Sequence, residues 1–297
     1  LFETILGGLG ADFFAKSANI IQAVAPLFSI GFGIYITIVA LNTYNKGLDE
    51  NAVELGQRVA GWLIIIACAF NAQQYNTIAQ ALYSLPEFLS ESVNGQPYSG
   101  NVLDEEVTKL VKSLGDIHGA AMKKLDWNDF GEKMAVSITF LFAIVLAYVY
   151  FSVVAAFYLV AKISLAMVIL VGPIFVGAML FPATRQWGMN WIGQIFAYGI
   201  MVMFYVIIGA VQMTFYQKNM QLSMDAFDST KPFSVVAMFL VIGMFFLATL
   251  VFLVVAWNVP SIANALTGGA GITGFAGVAR GTDASVKGLA RGGQMAA

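Results

Sequence analysis

The side chains able to do chemistry are few and scattered. His118 is the single histidine of the chain and Cys68 its single cysteine. A catalytic histidine needs a nucleophile or carboxylate within hydrogen-bond reach, and a metal site needs several ligands at defined spacing. No HExxH string and no cysteine cluster accompanies either residue. His118 therefore reads as a structural residue beside an apolar helix seam, and Cys68 as a buried thiol with no internal disulfide to form. Gly269, Gly271 and Gly274 spell GxGxxG. A dinucleotide site needs a strand before such glycines, a helix after them and an acid about 20 residues on. Here an apolar run long enough for a membrane helix precedes them and Asp283 arrives too early, so the string reads as linker. No P-loop string occurs either. The expectation is a protein with no catalytic residue, no metal site and no cofactor: not an enzyme.

Ionisable residues inside a membrane segment would mark an ion or proton path, since each is costly in lipid. Apart from Lys162, the expected spans carry essentially no ionisable residue in mid-run, and Lys162 reads as a turn whose amine reaches the headgroups. Gln194 and Gln212 read as interhelical hydrogen bonders. The segment richest in possibility is 162–191, KISLAMVILVGPIFVGAMLFPATRQWGMNW. Gly172 and Pro173 interrupt it, because proline removes a backbone donor in mid-run. Pro182 gives a second stop. Thr184, Arg185, Trp187 and Trp191 then follow at an expected membrane interface. Arg185 reads either as a topological anchor or as a contact for a passing substrate or partner.

The elements that must carry these residues are set by hydrophobic runs. Six stretches lack Asp, Glu, Lys and Arg for helix-spanning lengths: between Lys16 and Lys46, Arg58 and Glu87, Lys133 and Lys162, Lys162 and Arg185, Arg185 and Lys218, and Lys231 and Arg280. A helix rises about 1.5 Å per residue, so roughly 20 apolar residues cross a hydrocarbon core of about 30 Å. With 59% hydrophobic and 11% charged residues, the chain is far from a soluble domain, which is about a quarter charged. Its net charge of -2 also excludes the basic field of a dedicated nucleic-acid binder. The fold class expected is an all-α polytopic integral membrane protein with about five or six transmembrane or re-entrant helices.

Along the chain, residues 1–24 form an expected amphipathic helix that does not span and does not resemble a signal peptide. Residues 25–83 form a first two-span unit, its second span running from about Val59 to Leu82. Residues 84–133 are the one substantial polar insertion, in which carboxylates outnumber lysines, and this segment is expected in the periplasm. Within it Leu103, Val107, Leu110, Leu114, Ile117 and Ala121 follow the alternating four-and-three spacing of a packing seam, suited to an oligomer or partner contact. Residues 134–260 form a second membrane unit. The run up to Leu180 allows either a hairpin turning at Lys162 or one long helix followed by a broken piece. Residues 261–297 read as a flexible Gly/Ala-rich tail with an excess of basic residues. An acidic segment outside and a basic tail inside require an odd number of spans between them. Three such spans, five in all, satisfy both.

Gly172-Pro173-Ile174-Phe175, then Phe181-Pro182-Ala183-Thr184-Arg185 and the following Trp187, resemble the TrbL-type, VirB-like polytopic inner-membrane component of type IV secretion systems. Trp257, Val259, Pro260, Ala263 and the Gly-rich tail agree with that layout over nearly the whole chain. The resemblance implies a multi-pass protein of the bacterial inner membrane, with a periplasmic N-terminus and a cytoplasmic C-terminus. It would support DNA and protein translocation and pilus assembly, in conjugation among other settings. It implies contact with membrane lipids, with pilus subunits, with separate ATPases and other secretion components, and transiently with the translocated DNA or protein. A homo-oligomer is expected, and the resemblance suggests a pentamer. The alternative is a small-molecule membrane transporter, against which stand the scarcity of intramembrane charge and the lack of self-similar halves.

Overall fold

The computed structural model describes residues 2–46, 52–95, 100–123, 125–126, 128–229 and 235–267. The linker glycines Gly269, Gly271 and Gly274 lie outside the described residues. All regular structure among the described residues is helical: α1 (Phe2–Lys46), α2 (Ala52–Phe70), α3 (Ala72–Asn94), α4 (Gly100–Lys123), α5 (Phe130–Leu170), α6 (Gly172–Ala178), α7 (Arg185–Ser229) and α8 (Val235–Leu266). The all-α expectation holds.

Among the described residues, four stretches are long and apolar enough to cross a membrane: Lys16–Asn42, Phe130–Leu170, Arg185–Tyr216 and Gly243–Leu266. Their outward faces fit a lipid surround. Leu27 is 73% exposed on α1 and Leu247 65% on α8, a cost in water of roughly 25 cal/mol per Å² of apolar surface. The remaining apolar runs are divided by residues that interrupt helices. Asn71 separates α2 from α3, so the span expected over 59–82 is two helices, of which the apolar part is Gly56–Phe70. The Asn71 side-chain oxygen accepts from the backbone N–H groups of Gln73 and Gln74, both at 3.1 Å, the arrangement by which an N-cap satisfies the orphan donors of a new helix.

At Lys162 the structure takes the second of the two arrangements the sequence allows. α5 runs unbroken from Phe130 to Leu170, and the hairpin at Lys162 is not formed. Pro26 likewise does not end α1, and α8 continues past Pro260 to Leu266, into the segment expected as tail.

The chain divides into two compact units. Unit 1 comprises Leu1–Gly8, Leu85–Lys162 and Met201–Val259. Its core joins Leu114 of α4, Phe151 and Val154 of α5, and Met213 and Tyr216 of α7. Tyr216 stacks on Phe245 of α8 at 5.0 Å, and its hydroxyl lies 2.6 Å from that of Thr249. Leu114 is 9% exposed, so its share of the seam is closed inside this unit. Leu103, Val107, Leu110 and Ile117 stand on the same helix, and their side chains lie outside the described residues. His118 stacks on Phe140 with ring centres 4.4 Å apart.

Unit 2 comprises Leu9–Ser84, Ile163–Ile200 and Pro260–Ala297. Ile21 of α1, Tyr75 and Ala79 of α3, Leu165 and Ile169 of α5, and Trp191 and Ile195 of α7 form its core. α2 packs on α6. There the Phe28 ring of α1 lies 5.6 Å from that of Phe70 and 6.2 Å from that of Phe181.

Candidate functional site

The break at Gly172 and Pro173 is built into unit 2 from three directions. In an uninterrupted helix the carbonyl of Ile169 would accept from the N–H of residue 173, and proline has none. The Tyr75 hydroxyl of α3 donates to that carbonyl instead. The indole N–H of Trp191, from α7, donates to the neighbouring carbonyl of Val168 at 2.7 Å. Two side chains far apart in sequence thus supply donors where the main chain is interrupted, as a helix break in an apolar surround requires. Pro173 itself opens α6 within its first two positions and is almost wholly buried, the one place in a helix where its missing N–H is not needed.

Gly172 is set by the same convergence. A Cβ there would lie 2.0 Å from the Tyr75 hydroxyl oxygen and 2.4 Å from a ring carbon of Trp191, so no side chain fits while both donors stay in place. The far end of α6 is closed by Thr184, whose hydroxyl donates to the carbonyl of Ala178 at 2.7 Å. Gly188, in the first turn of α7, faces Met179 and the backbone oxygen of Phe175, which would lie 2.8 Å from an added Cβ. Tyr75 and Gly188, which the sequence did not mark, complete the region, and Thr184 and Trp191, read there only as interfacial residues, act as internal caps. Nothing in the spacing of a tyrosine on another helix announces that it will cap that break.

The structure therefore separates the residues that the sequence grouped together. Gly172, Pro173 and Trp191 meet at the break. Trp191 is 8% exposed, because its ring is a core residue and its N–H an internal cap, not an interfacial anchor. Arg185 and Trp187, at the start of α7, are on the surface, with Trp187 57% exposed. Arg185 has no ion pair among the described residues.

A second polar feature lies in unit 1. Lys162, expected to snorkel from a turn, is in mid-helix and its side chain is 3% exposed. Its amine donates to Glu87 of α3 at 2.5 Å, and Tyr158, one turn earlier on α5, donates to the other oxygen of that carboxylate at 2.9 Å. Burial of the α5 face excludes water, so the amine is held by a protein carboxylate instead of by headgroups. Gln212, expected to bond across helices, is fully buried, and neither of its amide atoms has a hydrogen-bond partner among the described residues. No group of three or more metal-binding side chains occurs among the described residues.

Residues 32–259, which include the break, both of its caps and the buried ion pair, match the family model for the TrbL/VirB6 plasmid conjugal transfer protein. The chain belongs to the TrbL/VirB6 family. It is 24% identical over 195 residues to the type IV secretion system protein VirB6 of Bartonella quintana, an alignment covering 64% of this chain and 58% of that protein. With the VirB6 protein of Bartonella henselae it shares 25% identity over 217 residues, 71% of this chain and 61% of that one. The chain thus spans about three fifths of the length of the curated relatives it matches. Family and relatives agree with the secretion reading, and nothing in them supports the transporter alternative.

Proposed function

We propose that this chain is an inner-membrane channel or scaffold subunit of a bacterial type IV secretion and conjugation system, acting as a homo-oligomer in substrate passage and pilus assembly without catalytic chemistry of its own. Family membership carries the reading. The pinned helix break supports it, since an interrupted helix whose freed carbonyls are capped from two other helices can keep non-helical backbone in an apolar setting.

The acidic segment 84–133 then faces the periplasm and the basic tail the cytoplasm. Among the described residues three long apolar helices, α5, α7 and α8, follow that segment, an odd number, which supports this orientation. DNA or protein cargo, pilus subunits and separate ATPases are the partners that follow from this role. On the surface beside the break, Arg185 offers a planar donor fork to a phosphate or carboxylate.

Conjugative transfer, measured at matched protein abundance, tests the role. An anchor needs only a positive charge, so Arg185→Lys would be silent in an anchor and harmful to a bidentate contact. Arg185→Lys and Pro173→Ala are each expected to reduce transfer. Full transfer in both variants would remove this region from the secretion role.

A further inference from the structure

The last turns of α3 are held to unit 1 by little packing. Residues 85–94 belong to that unit, yet none of them joins its core of Leu114, Phe151, Val154, Met213 and Tyr216. Leu85, Phe88, Leu89 and Val93 are exposed, Phe88 and Val93 at 65% each, so these large apolar side chains point away from the rest of the chain. Among the described residues of the stretch only Pro86 and Ser90 are buried, and the Ser90 hydroxyl donates within its own helix, to the carbonyl of Glu87 at 2.8 Å. A helical stretch with so little buried apolar surface stands at the low end of local stability.

What holds this stretch is Glu87. Its carboxylate accepts from the Lys162 amine and from the Tyr158 hydroxyl of α5, and among the described residues no other side chain of 85–94 makes a polar contact outside its own helix. The base of the stretch is weakened as well, because Pro86 lies inside α3 and removes one main-chain hydrogen bond there. At the far end Gly95 takes a φ of 68° and its N–H reaches the carbonyl of Glu91 at 2.8 Å, the left-handed stop that closes a helix. The stretch is thus a discrete piece, with proline at its base, glycine at its tip and one carboxylate between them.

We propose that residues 85–94 form a strap that opens from α5 without unfolding unit 1, with Glu87 as its latch. Charge-assisted hydrogen bonds make the closed latch firm, and closing supplies the counter-ion without which the buried amine of Lys162 could not stay charged. The pair is nevertheless open on one side. The Glu87 side chain is 22% exposed and that of Lys162 3%, so solvent reaches the contact from the strap, where it can be parted. The polar insertion begins at this strap, and its opening lets that segment shift while α5 stays whole. The inference does not depend on the secretion role.

Thiol labelling of the full chain in membranes tests it. In a Cys68→Ser background, Ser90→Cys reports on the strap, and Val206→Cys, fully buried on α7 of the same unit, reports on the unit as a whole. With a membrane-permeant maleimide, Ser90→Cys is expected to label slowly and Val206→Cys not at all. Adding Glu87→Ala/Lys162→Met removes the latch without stranding a buried charge. Labelling at Ser90→Cys should then rise roughly tenfold or more, as the loss of a charge-assisted hydrogen bond implies, while Val206→Cys stays protected. A pair that only stabilises the fold would move both positions together. Equal protection of the two positions with the latch present and removed would overturn the proposal and leave the strap fixed by packing. Labelling of both after removal would overturn it too, since unit 1 would then open as a whole.

Discussion

Tyr75 of α3 donates its hydroxyl to the carbonyl of Ile169, the one acceptor on α5 that Pro173 leaves without a helical partner. Proline, carbonyl and phenol therefore behave as one unit. The break at the end of α5 is a built joint, held by Tyr75 from one side and by Trp191 through Val168 from the other.

Gly172→Ala should be among the most damaging small substitutions in the chain, because the added methyl would sit 2.0 Å from the Tyr75 oxygen. Either the phenol or the helix must move. Tyr75→Phe keeps the ring and removes only the donor, leaving a buried carbonyl unsatisfied at a cost of about 1–3 kcal/mol. Thermal unfolding of the purified protein in detergent should show both as destabilised. If Gly172→Ala unfolds at the wild-type temperature, the convergence of Tyr75 and Trp191 on this glycine is not rigid.

What the sequence disclosed and what it concealed divide along one line. Length of apolar run, the donor lost at Pro173 and the shift to a polar segment after Ser84 are local properties, and each was legible. The helical class followed from them. The partners of those elements were not, because Tyr75, Trp191 and Gly188 act across distances in the chain that no spacing rule relates. Lys162 shows the failure most clearly. A lone lysine in an apolar run reads as a turn only if its counter-ion is unknown, and Glu87 lies at the far end of the polar insertion, 75 residues away. Asn71, inside the expected span from Val59 to Leu82, drew no reading for the opposite reason, since a single asparagine barely lowers a hydropathy average yet caps a new helix.

Labelling of intact cells checks the topology. In the Cys68→Ser background, Ser99→Cys lies in the acidic segment and Ser285→Cys in the basic tail. Ser99→Cys should react with a membrane-impermeant thiol reagent and Ser285→Cys should not. Equal labelling of both positions would require an even number of crossings after the segment and would contradict three spans in α5, α7 and α8.

The ion pair between Lys162 and Glu87 makes an asymmetric prediction. The Lys162 side chain is 3% exposed and that of Glu87 22%, so the lysine is the worse group to leave alone. Glu87→Gln withdraws the carboxylate from a buried amine, and breaking such a pair from one side costs about 3–5 kcal/mol. Lys162→Met leaves a carboxyl that is nearer to solvent and still accepts from Tyr158, so its cost should be smaller. Removing both charges together strands neither, and replacement of a buried pair by neutral groups is often close to neutral. The double variant Glu87→Gln/Lys162→Met should accordingly be more stable than Glu87→Gln alone. A double-mutant cycle on thermal or denaturant unfolding reads the coupling directly. Additive losses would show that α3 and α5 are held together by packing in this region and that the pair contributes nothing as a pair.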